Sequence, residues 1–567
     1  MIGAVLRFIK NWYALMVVVG AFAWSALAIV SYRAEETPKG AIIIRLGHWQ
    51  LEASVRDAID EMAKLYREKV NPNVYVVQDA IPEGLYGQWV STQLMGGTAP
   101  DIMQVGNFLP GPVWLAYYNR YFVALSRYVN SPNPHNNGTP LEGKPLRQTY
   151  KDGMKTSYVG EMQEYMSVPL SIFGVRIFYN RDLLQKLTGS DEAPRDYRKF
   201  LAVCKKIAEQ TDPTGKNFIA IAGSGYHFGM WSGMMFDPLT YPAIRQADFN
   251  RDGELGSDEF FVAIQTGRMS FDFPAWEARF ALQKDITDFF QTGYTGLSRD
   301  EAVFLFAQQR AVFMTTGTWD ARSLEQQAAG RFRVGVMDFP LPGKDDPQYG
   351  PYVEGPVYES IDSGFRFAVS RTSGHFEEAL DFLLFMASKG MNEELNRIIG
   401  WIPAIENTEM DPLLRAFEPH LEGVYSAFPV TLGGETQIRW GQLFSLYQVG
   451  KITYDEIVKQ YEPFYKEKGL KDYLEQQREW RRGMHRNEQF LAGIRAKALA
   501  TEGDEAMSAW VKYRALTADR QVWSEIDHTR QMKMINLKIP PPKVGPYEYS
   551  PEVLAKIKDR IAKEPAP

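Results

Sequence analysis

Cysteine is almost missing from this chain: of 567 residues, only Cys204 carries a thiol. A single cysteine excludes an intrachain disulfide and any paired-cysteine metal site. It lies in "KFLAVCKKIAEQ" at helical apolar spacing, which reads as core, and far from the N-terminus, which excludes lipid attachment. Histidine is scarce at seven, and no HExxH helix or phosphate-loop lysine occurs. The stretch "AGSGYH" around Ser224 comes near a nucleophile elbow but misses the GxSxG spacing. A surplus of positive charge is also lacking. With 63 Lys/Arg against 69 Asp/Glu the net charge is −6, which argues against a general nucleic-acid binder. After the first forty residues no apolar run is long enough to span a bilayer, so a channel or permease is excluded.

What is present begins at the N-terminus. "MIGAVLRFIKNWYALMVVVGAFAWSALAIVSY" has Arg7 and Lys10, then no charge until Arg33. That run can cross the hydrocarbon core, which needs about twenty residues. Its basic start and the small residues near Ala28 also resemble an export signal. The apolar part is long for a cleaved signal, so residues 1–40 read as a membrane anchor that places the rest outside the cytoplasm. The length implies two or more domains. Hydrophobic content of 45% with 23% charged residues is that of a folded soluble protein.

"DFNRDGELGSDE", Asp248–Glu259, spaces oxygen-bearing residues as a twelve-residue calcium loop does. Asp248, Asn250 and Asp252 supply side-chain oxygens, Glu254 its carbonyl, and Glu259 a bidentate carboxylate, while Gly253 makes the sharp turn. The loop is single, and the preceding "TYPAIRQA" has room for little more than one helical turn. Sensor loops act through moving helix pairs, so this one reads as a structural calcium clip.

Along the chain, "AIIIRL" (41–46) reads as a buried strand. A helix follows, with Ser54 and Asp57 as a capping box and Val55, Ile59, Met62 and Tyr66 on one face. "NVYVVQD", the helical "GLYGQWVSTQLM" and the strand in "GGTAPDIMQVG" continue the alternation. Strand, helix, strand, helix, strand opens a doubly wound α/β layer, whose ligands sit beyond the carboxyl ends of the strands. His48, Trp49 and Asn107 fall at such ends. Residues 130–150 form a Pro/Gly/Asn-rich excursion. Beyond about Tyr465 two long charged helices, "KDYLEQQREWRRGMHRNEQFLAGIRAKAL" and "EAMSAWVKYRALTADRQVWSEIDHTRQM", read as a hairpin. A proline-rich stretch and a short helix from Ser550 and Pro551 close the chain. Residues 466–567 hold 20 Lys/Arg against 15 Asp/Glu, a mildly basic tail.

Several signatures occur in a recognisable order: "GGTAPDI" (96–102), "VPL" with "YNRDLL" (168–184), "AP" with "DYRKF" (193–200), "RAVFMTTGTW" (310–319), "FPLPG", "GFRFAVS", "EEALDFLLFMAS", "GWIPA" (400–404) and "GKITYDEIVKQY". Together they resemble the extracellular solute-binding proteins of ABC importers, specifically the large sugar-binding family that includes periplasmic maltodextrin binders. The resemblance covers roughly residues 41–465 and leaves the C-terminal extension outside it. It implies an α/β, two-lobed periplasmic-binding-protein-like clamp that closes on its ligand by hinge motion. Lobe one is then expected over 41–165 and 305–366, and lobe two over 166–304 and 367–465 with the calcium loop inside it. A helical extension follows over 466–567. The implied function is capture of an oligosaccharide or sugar derivative and delivery to ABC permease subunits, in the periplasm or its extracytoplasmic equivalent.

Sugars present flat C–H faces ringed by hydroxyls, so their sites need aromatic platforms and a few placed polar groups. Aromatics make up 13% of the chain, with 13 tryptophans. Those at strand ends, loops or positions matching the family are Trp49, Tyr226, Trp231, Trp319, Trp401 and Trp440. Phe173 lies in the crossing segment, and His48 and Asn107 add hydrogen bonds. Glycines beside Trp319 and Trp401 favour exposure at a turn and rank those two first. Arg439 offers a partner for a carboxylate or phosphate. No catalytic set emerges. The rival readings are an envelope-anchored sensor module working through the C-terminal helices, and a carbohydrate-active enzyme, which needs two carboxylates at a set separation.

Overall fold

The computed structural model describes residues 38, 40–106, 111–160, 162–251, 253–355, 357–359, 361–424, 428–486, 488–517, 524–541, 555 and 556. The apolar run expected as an anchor, Asn107, Asp252 and the helix start at Ser550 and Pro551 lie outside the described residues. Among those described, no helix is long and apolar enough to cross a membrane. The chain divides into two compact units, Met1–Gln104 with Val369–Phe385, and Val105–Ala368 with Met386–Pro567.

The first unit is built as its alternating pattern predicts. Strand β1 (Ile42–His48) pairs in parallel with β2 (Val74–Ala80), in register from Ile42↔Val74 to His48↔Ala80, and with β3 at Leu46↔Ile102. Strand β3 is Ile102–Val105. Parallel neighbours need crossover connections, and α1 (Ala53–Lys69) and α2 (Glu83–Gly96) supply them. Val55, Ile59, Met62 and Tyr66 are all buried, at the spacing of one helix face. Each contributes roughly 1.5–3 kcal/mol of apolar burial. The Tyr66 hydroxyl donates to Asp381 Oδ2 at 2.6 Å, within the same unit. The expected capping box is not formed. Helix α1 starts at Ala53, which puts Ser54 inside the first turn, and the N-cap Glu52 makes no side-chain cap.

Besides a short two-stranded pair, Tyr158–Val159 with Glu164–Tyr165, the second unit carries two groups of strands. Strand β4 (Val168–Phe173) is flanked antiparallel by β9 (Asp362–Val369) and β10 (Ile402–Pro403). After one residue, Gly174, the chain enters β5 (Val175–Asn180), which belongs to a four-stranded sheet. Its other strands are β6 (Ile219–Ala222), β7 (Ala311–Gly317) and β8 (Val334–Met337), and the order across it is β8-β5-β7-β6. β5 runs antiparallel to β8 and β7, while β6 runs parallel to β7. Strands β7 and β8, from the segment expected in lobe one, thus hydrogen-bond with strands from the segment expected in lobe two. At the end of β5 the Asn180 side chain accepts the Leu183 N–H at 2.9 Å and starts the helix Arg181–Thr188, the structural role of "YNRDLL". Cys204 is buried in the core against this sheet, as its spacing predicts.

Among the helices of the second unit are α3 (Gly225–Trp231), α4 (Ser257–Gln265), α5 (Arg299–Ala307), α6 (Thr318–Ala328) and α7 (Lys389–Ile399). They are followed by α8 (Gly434–Gln448), α9 (Tyr454–Arg486), α10 (Glu488–Ala500), α11 (Gly503–Thr517) and α12 (Ser524–Leu537). The C-terminal region is therefore more than a two-helix hairpin: α9 runs on from the segment before Tyr465, and α10 and α11 form a hairpin of their own. Charged surface spacing gives no sign of where such helices break, because each break is fixed by packing. A second core joins α4, α8, α9 and α12 through Phe260, Phe261, Leu443, Tyr461, Tyr465 and Ile535.

Candidate functional site

The registers put the carboxyl ends of β6, β7 and β8 and the start of β5 on one edge of the four-stranded sheet, through Ala222↔Met314, Val175↔Gly317 and Ile177↔Met337. Ligands of α/β sheets bind at such an edge. Beyond β6 the chain carries Ser224, Tyr226 and His227; beyond β7 it carries Thr318, Trp319 and Asp320; Phe173 and Gly174 lead into β5.

Four of the expected rings meet here or next to it. Phe173 stands edge-on to Trp319, with centroids 5.8 Å apart, and to Trp401 at 5.0 Å. Trp401 in turn meets Phe365 at 5.2 Å. Tyr226, 47% exposed, is the most open of the group, and its ring lies 5.9 Å from the Arg299 guanidinium. Gly317 makes the placement of Trp319 possible: a Cβ there would sit 2.3 Å from the indole. Trp319 and Phe173 are half-buried. Trp401 is only 3% exposed, against the expectation drawn from its glycine. Gly400, at φ +83°, ends α7 in the left-handed conformation and turns the ring into the protein. Trp401 therefore supports Phe173 from behind.

Arg299, the first residue of α5, pairs as an ion with Asp320, the residue after Trp319, and the Thr316 hydroxyl donates to the other carboxylate oxygen of Asp320. Ser224 Oγ and His227 Nδ1 are 2.8 Å apart and fully buried. Burial, with the Arg299 charge adding to it, pushes His227 down to about 4, so the imidazole is neutral at pH 7. His227 Nε2 and Thr318 Oγ1 are buried with no protein hydrogen-bond partner among the described residues. Buried polar atoms of this kind call for a water or a ligand hydroxyl. The edge thus combines ring faces, a carboxylate, a guanidinium and neutral hydrogen-bonding atoms. Arg299 and Asp320 were missed in the sequence, although Asp320 directly follows Trp319 and Ser298 with Glu301 caps the helix that Arg299 begins.

The remaining expected residues lie elsewhere. Trp231 is fully enclosed in the core among Phe200, Phe290 and Phe339. Its helix turns it inward, so it does not join the group. Trp440 is half-buried and stacks on Phe444 at 6.0 Å in the aromatic core of α8 and α9. Arg439 beside it donates to Gln460 Oε1 at 3.1 Å. In the first unit, the Trp49 ring lies 5.2 Å from that of Tyr86, and the Trp49 backbone N–H donates to Gln104 Oε1. His48 is buried, lowered by desolvation, and shares a hydrogen bond with Gln78 at 2.9 Å. Two cavities of the second unit lie near Trp401 and Phe339. One of about 210 Å³ lies between α6 and α7, lined by Arg322, Glu325, Arg397, Trp401 and Leu414. The other, about 470 Å³, lies at the end of β8, lined by Phe339, Lys344, Val357, Glu359 and His420.

In the acidic loop, Asp248 and Glu259 are buried, and Gly253 has φ +88°. Glu259 Oε1 accepts the N–H groups of Phe249 and Asn250 at 3.1 and 3.0 Å, and Oε2 that of Gly256 at 3.2 Å. Asp248 accepts from Arg251 and Gly253. Burial, helped by Asp258 and Asp248, pushes Glu259 up to about 8. Among the described residues no three acidic or histidine side chains are grouped to hold a metal. Two buried carboxylates so close together nevertheless suit a cation, since neutralisation would relieve both. Helix α4, directly after the loop, seats the C-terminal helices: Gln531 of α12 donates to Asp258 at 2.8 Å, and Phe261 stacks on Tyr473 of α9 at 5.2 Å.

Residues 61–418 match the family described as bacterial extracellular solute-binding protein. The multiple sugar-binding protein of Streptococcus mutans is 21% identical over 372 residues, covering 64% of this chain and 74% of that protein. A structure concerned with xylan utilization by Caldanaerobius polysaccharolyticus superposes with a TM-score of 0.51 at 19% identity, covering 74% of this chain and 99% of the other. The sugar-binding protein MalE from Xanthomonas citri gives a TM-score of 0.48 at 16% identity, covering 75% and 97%.

Proposed function

The chain belongs to the bacterial extracellular solute-binding protein family, and from that premise we propose that it captures an oligosaccharide or sugar derivative at the sheet edge and passes it to an ABC permease. It carries the mixed α/β periplasmic-binding-protein fold with helices added at the C-terminus. The family is one of binding proteins, not enzymes, and works outside the cytoplasm.

One observation carries the sugar reading: the exposed ring of Tyr226 lies against the Arg299 guanidinium, which pairs with Asp320, the residue after the half-buried Trp319. Ring faces take the C–H faces of a pyranose, Asp320 accepts from its hydroxyls, and Arg299 donates to them. The pair neutralises itself, which suits an uncharged ligand. Calorimetric titration against raffinose, stachyose, xylotriose, chitotriose and maltotriose tests this. Saturable binding without cleavage is the expected result; no binding to any of them, or hydrolysis, overturns it.

Two further parts belong to the same reading. The loop Asp248–Glu259 seats a calcium ion through Asp248, Asn250, Asp252, the Glu254 carbonyl and Glu259. The ion would supply positive charge and stiffness between the loop and α4, with no chemistry. Chelation should lower the melting temperature and leave sugar binding in place; an unchanged melting curve removes calcium. Residues 1–40 hold the protein at the outer face of the membrane, and recovery of the full chain in the soluble fraction would exclude that anchor. A second reading, a sensor module, draws on α9–α12 lying largely beyond the matched residues. Loss of signalling with intact transport after disruption of those helices would favour it.

A further inference from the structure

Arg176, the second residue of β5, is fully enclosed, yet it carries a charge. Its Nε donates to the Ala416 carbonyl at 2.8 Å and pairs as an ion with Asp338 Oδ1, also at 2.8 Å. Nη1 donates to the Val175 carbonyl at 2.7 Å and to both Glu359 oxygens, at 3.1 and 3.0 Å. Nη2 donates to the Glu418 carbonyl at 2.8 Å. Every nitrogen of the guanidinium has a partner, and these partners come from separate stretches of chain.

Those stretches share one property. The chain leaves the strands around β4 for the four-stranded sheet at Gly174. It returns between β8 and β9, through Asp338 and Glu359. It departs again after β10, through Ala416–Glu418. Two passages join the two groups of strands, a third leads from β10 towards the helices beyond, and Arg176 binds all three. The second and third also bind each other, the Glu359 N–H donating to the His420 carbonyl at 2.7 Å, and the first is tied to the end of β7, the Thr318 N–H donating to the Gly174 carbonyl at 3.0 Å. Gly174 passes so near the third passage that a Cβ there would lie 2.7 Å from the Phe417 carbonyl oxygen.

We propose that Arg176 is a positioning residue for the solute site, riveting the three passages so that Phe173 and Trp319 meet at a fixed angle and the two groups of strands turn about one point. The inference rests on the solute-capture reading and deepens it, since Arg176 itself touches no solute. Only arginine suits the place. Its planar fork offers five donors in fixed directions, whereas lysine offers three on a flexible stem. A buried ion cluster adds little net stability over an apolar one; what it imposes is direction. A shift of any passage by an ångström or two breaks a hydrogen bond to the enclosed guanidinium. Phe173, three residues before Arg176, and Thr316, its register partner on β7 and the donor to Asp320, both inherit their positions from this point.

The test compares the full-length wild type with Arg176→Lys, Arg176→Ala and the triple variant Arg176→Met/Asp338→Asn/Glu359→Gln. The triple variant strands no buried carboxylate and so keeps the chain folded. Native-state hydrogen exchange should show the amides of Glu359 and Thr318 exchanging together, at least about tenfold faster in every variant, while amides of β6 and α1 keep their wild-type rates. Free guanidinium at low concentration should restore protection in Arg176→Ala. Affinity for the tightest sugar of the panel should fall about tenfold in step with exchange, although no ligand contact is altered. Faster exchange confined to Val175–Ile177, a uniform rise everywhere, or unchanged affinity in the triple variant overturns the proposal. If the wild type binds no sugar of the panel, the capture reading fails, and the exchange pattern alone still decides whether Arg176 holds the passages.

Discussion

Replacing Tyr226 by alanine removes the most open ring of the sheet-edge group, and the geometry sets the size of the effect. An aromatic side chain carries about 150–250 Å² of surface. With 47% exposed, about 90 Å² remains for a solute to cover. At about 25 cal/mol per Å² that is about 2 kcal/mol, or about thirtyfold in dissociation constant. Trp401→Ala is the matched control. That ring is 3% exposed and offers a solute almost nothing, but its removal opens a core cavity at a cost of about 3–5 kcal/mol. Calorimetric titration and scanning calorimetry on both variants separate the two effects. Tyr226→Ala should lose about thirtyfold in affinity with a modest fall in melting temperature. Trp401→Ala should lose several degrees and bind weakly only as far as Phe173 shifts. Wild-type affinity in Tyr226→Ala, together with lost binding at unchanged stability in Trp401→Ala, would refute the reasoning from exposure.

Three further outcomes are expected. His227 has a folded value near 4 against about 6.5 unfolded, so protonation favours the unfolded chain; its contribution is complete above pH 6.5 and falls away between 6.5 and 4, by at most about 3 kcal/mol. Melting curves across that range should flatten in His227→Gln, and equal slopes would exclude the histidine as the cause. Gly317→Ala drives a Cβ into the Trp319 ring and should weaken sugar binding at least tenfold; a crystal structure with Trp319 unmoved would contradict this. Cys204 is buried, and desolvation holds its thiol well above the ordinary value, so it should resist thiol reagents until the protein unfolds; rapid native labelling would show the core more open than described.

Local chemistry was legible in the sequence where it decides the outcome. The face of α1 follows from Val55, Ile59, Met62 and Tyr66, and the helix start after β5 from Asn180. The order of short signatures pointed to the fold. Exposure was harder, because a glycine beside a tryptophan says that the chain turns, not which way: Gly317 leaves Trp319 at the edge, while Gly400 turns Trp401 inward. Sheet membership was hidden as well, since the pairing of β7 with β5 spans more than a hundred residues. Arg176 was invisible for the same reason. Its partners lie up to 242 residues away, and no spacing rule reaches that far.

The seating of α9 and α12 on α4 bears on how this protein can be shortened. A chain ending near residue 465 would stop just past Tyr461 and Tyr465, both fully buried, and would strip the cover from Phe261. It would trade a closed surface for a sticky aromatic one. The tail is thus upholstery for the core beneath it, and clumping in dilute buffer, before any loss of sugar affinity, is the first defect such a trimmed protein should show.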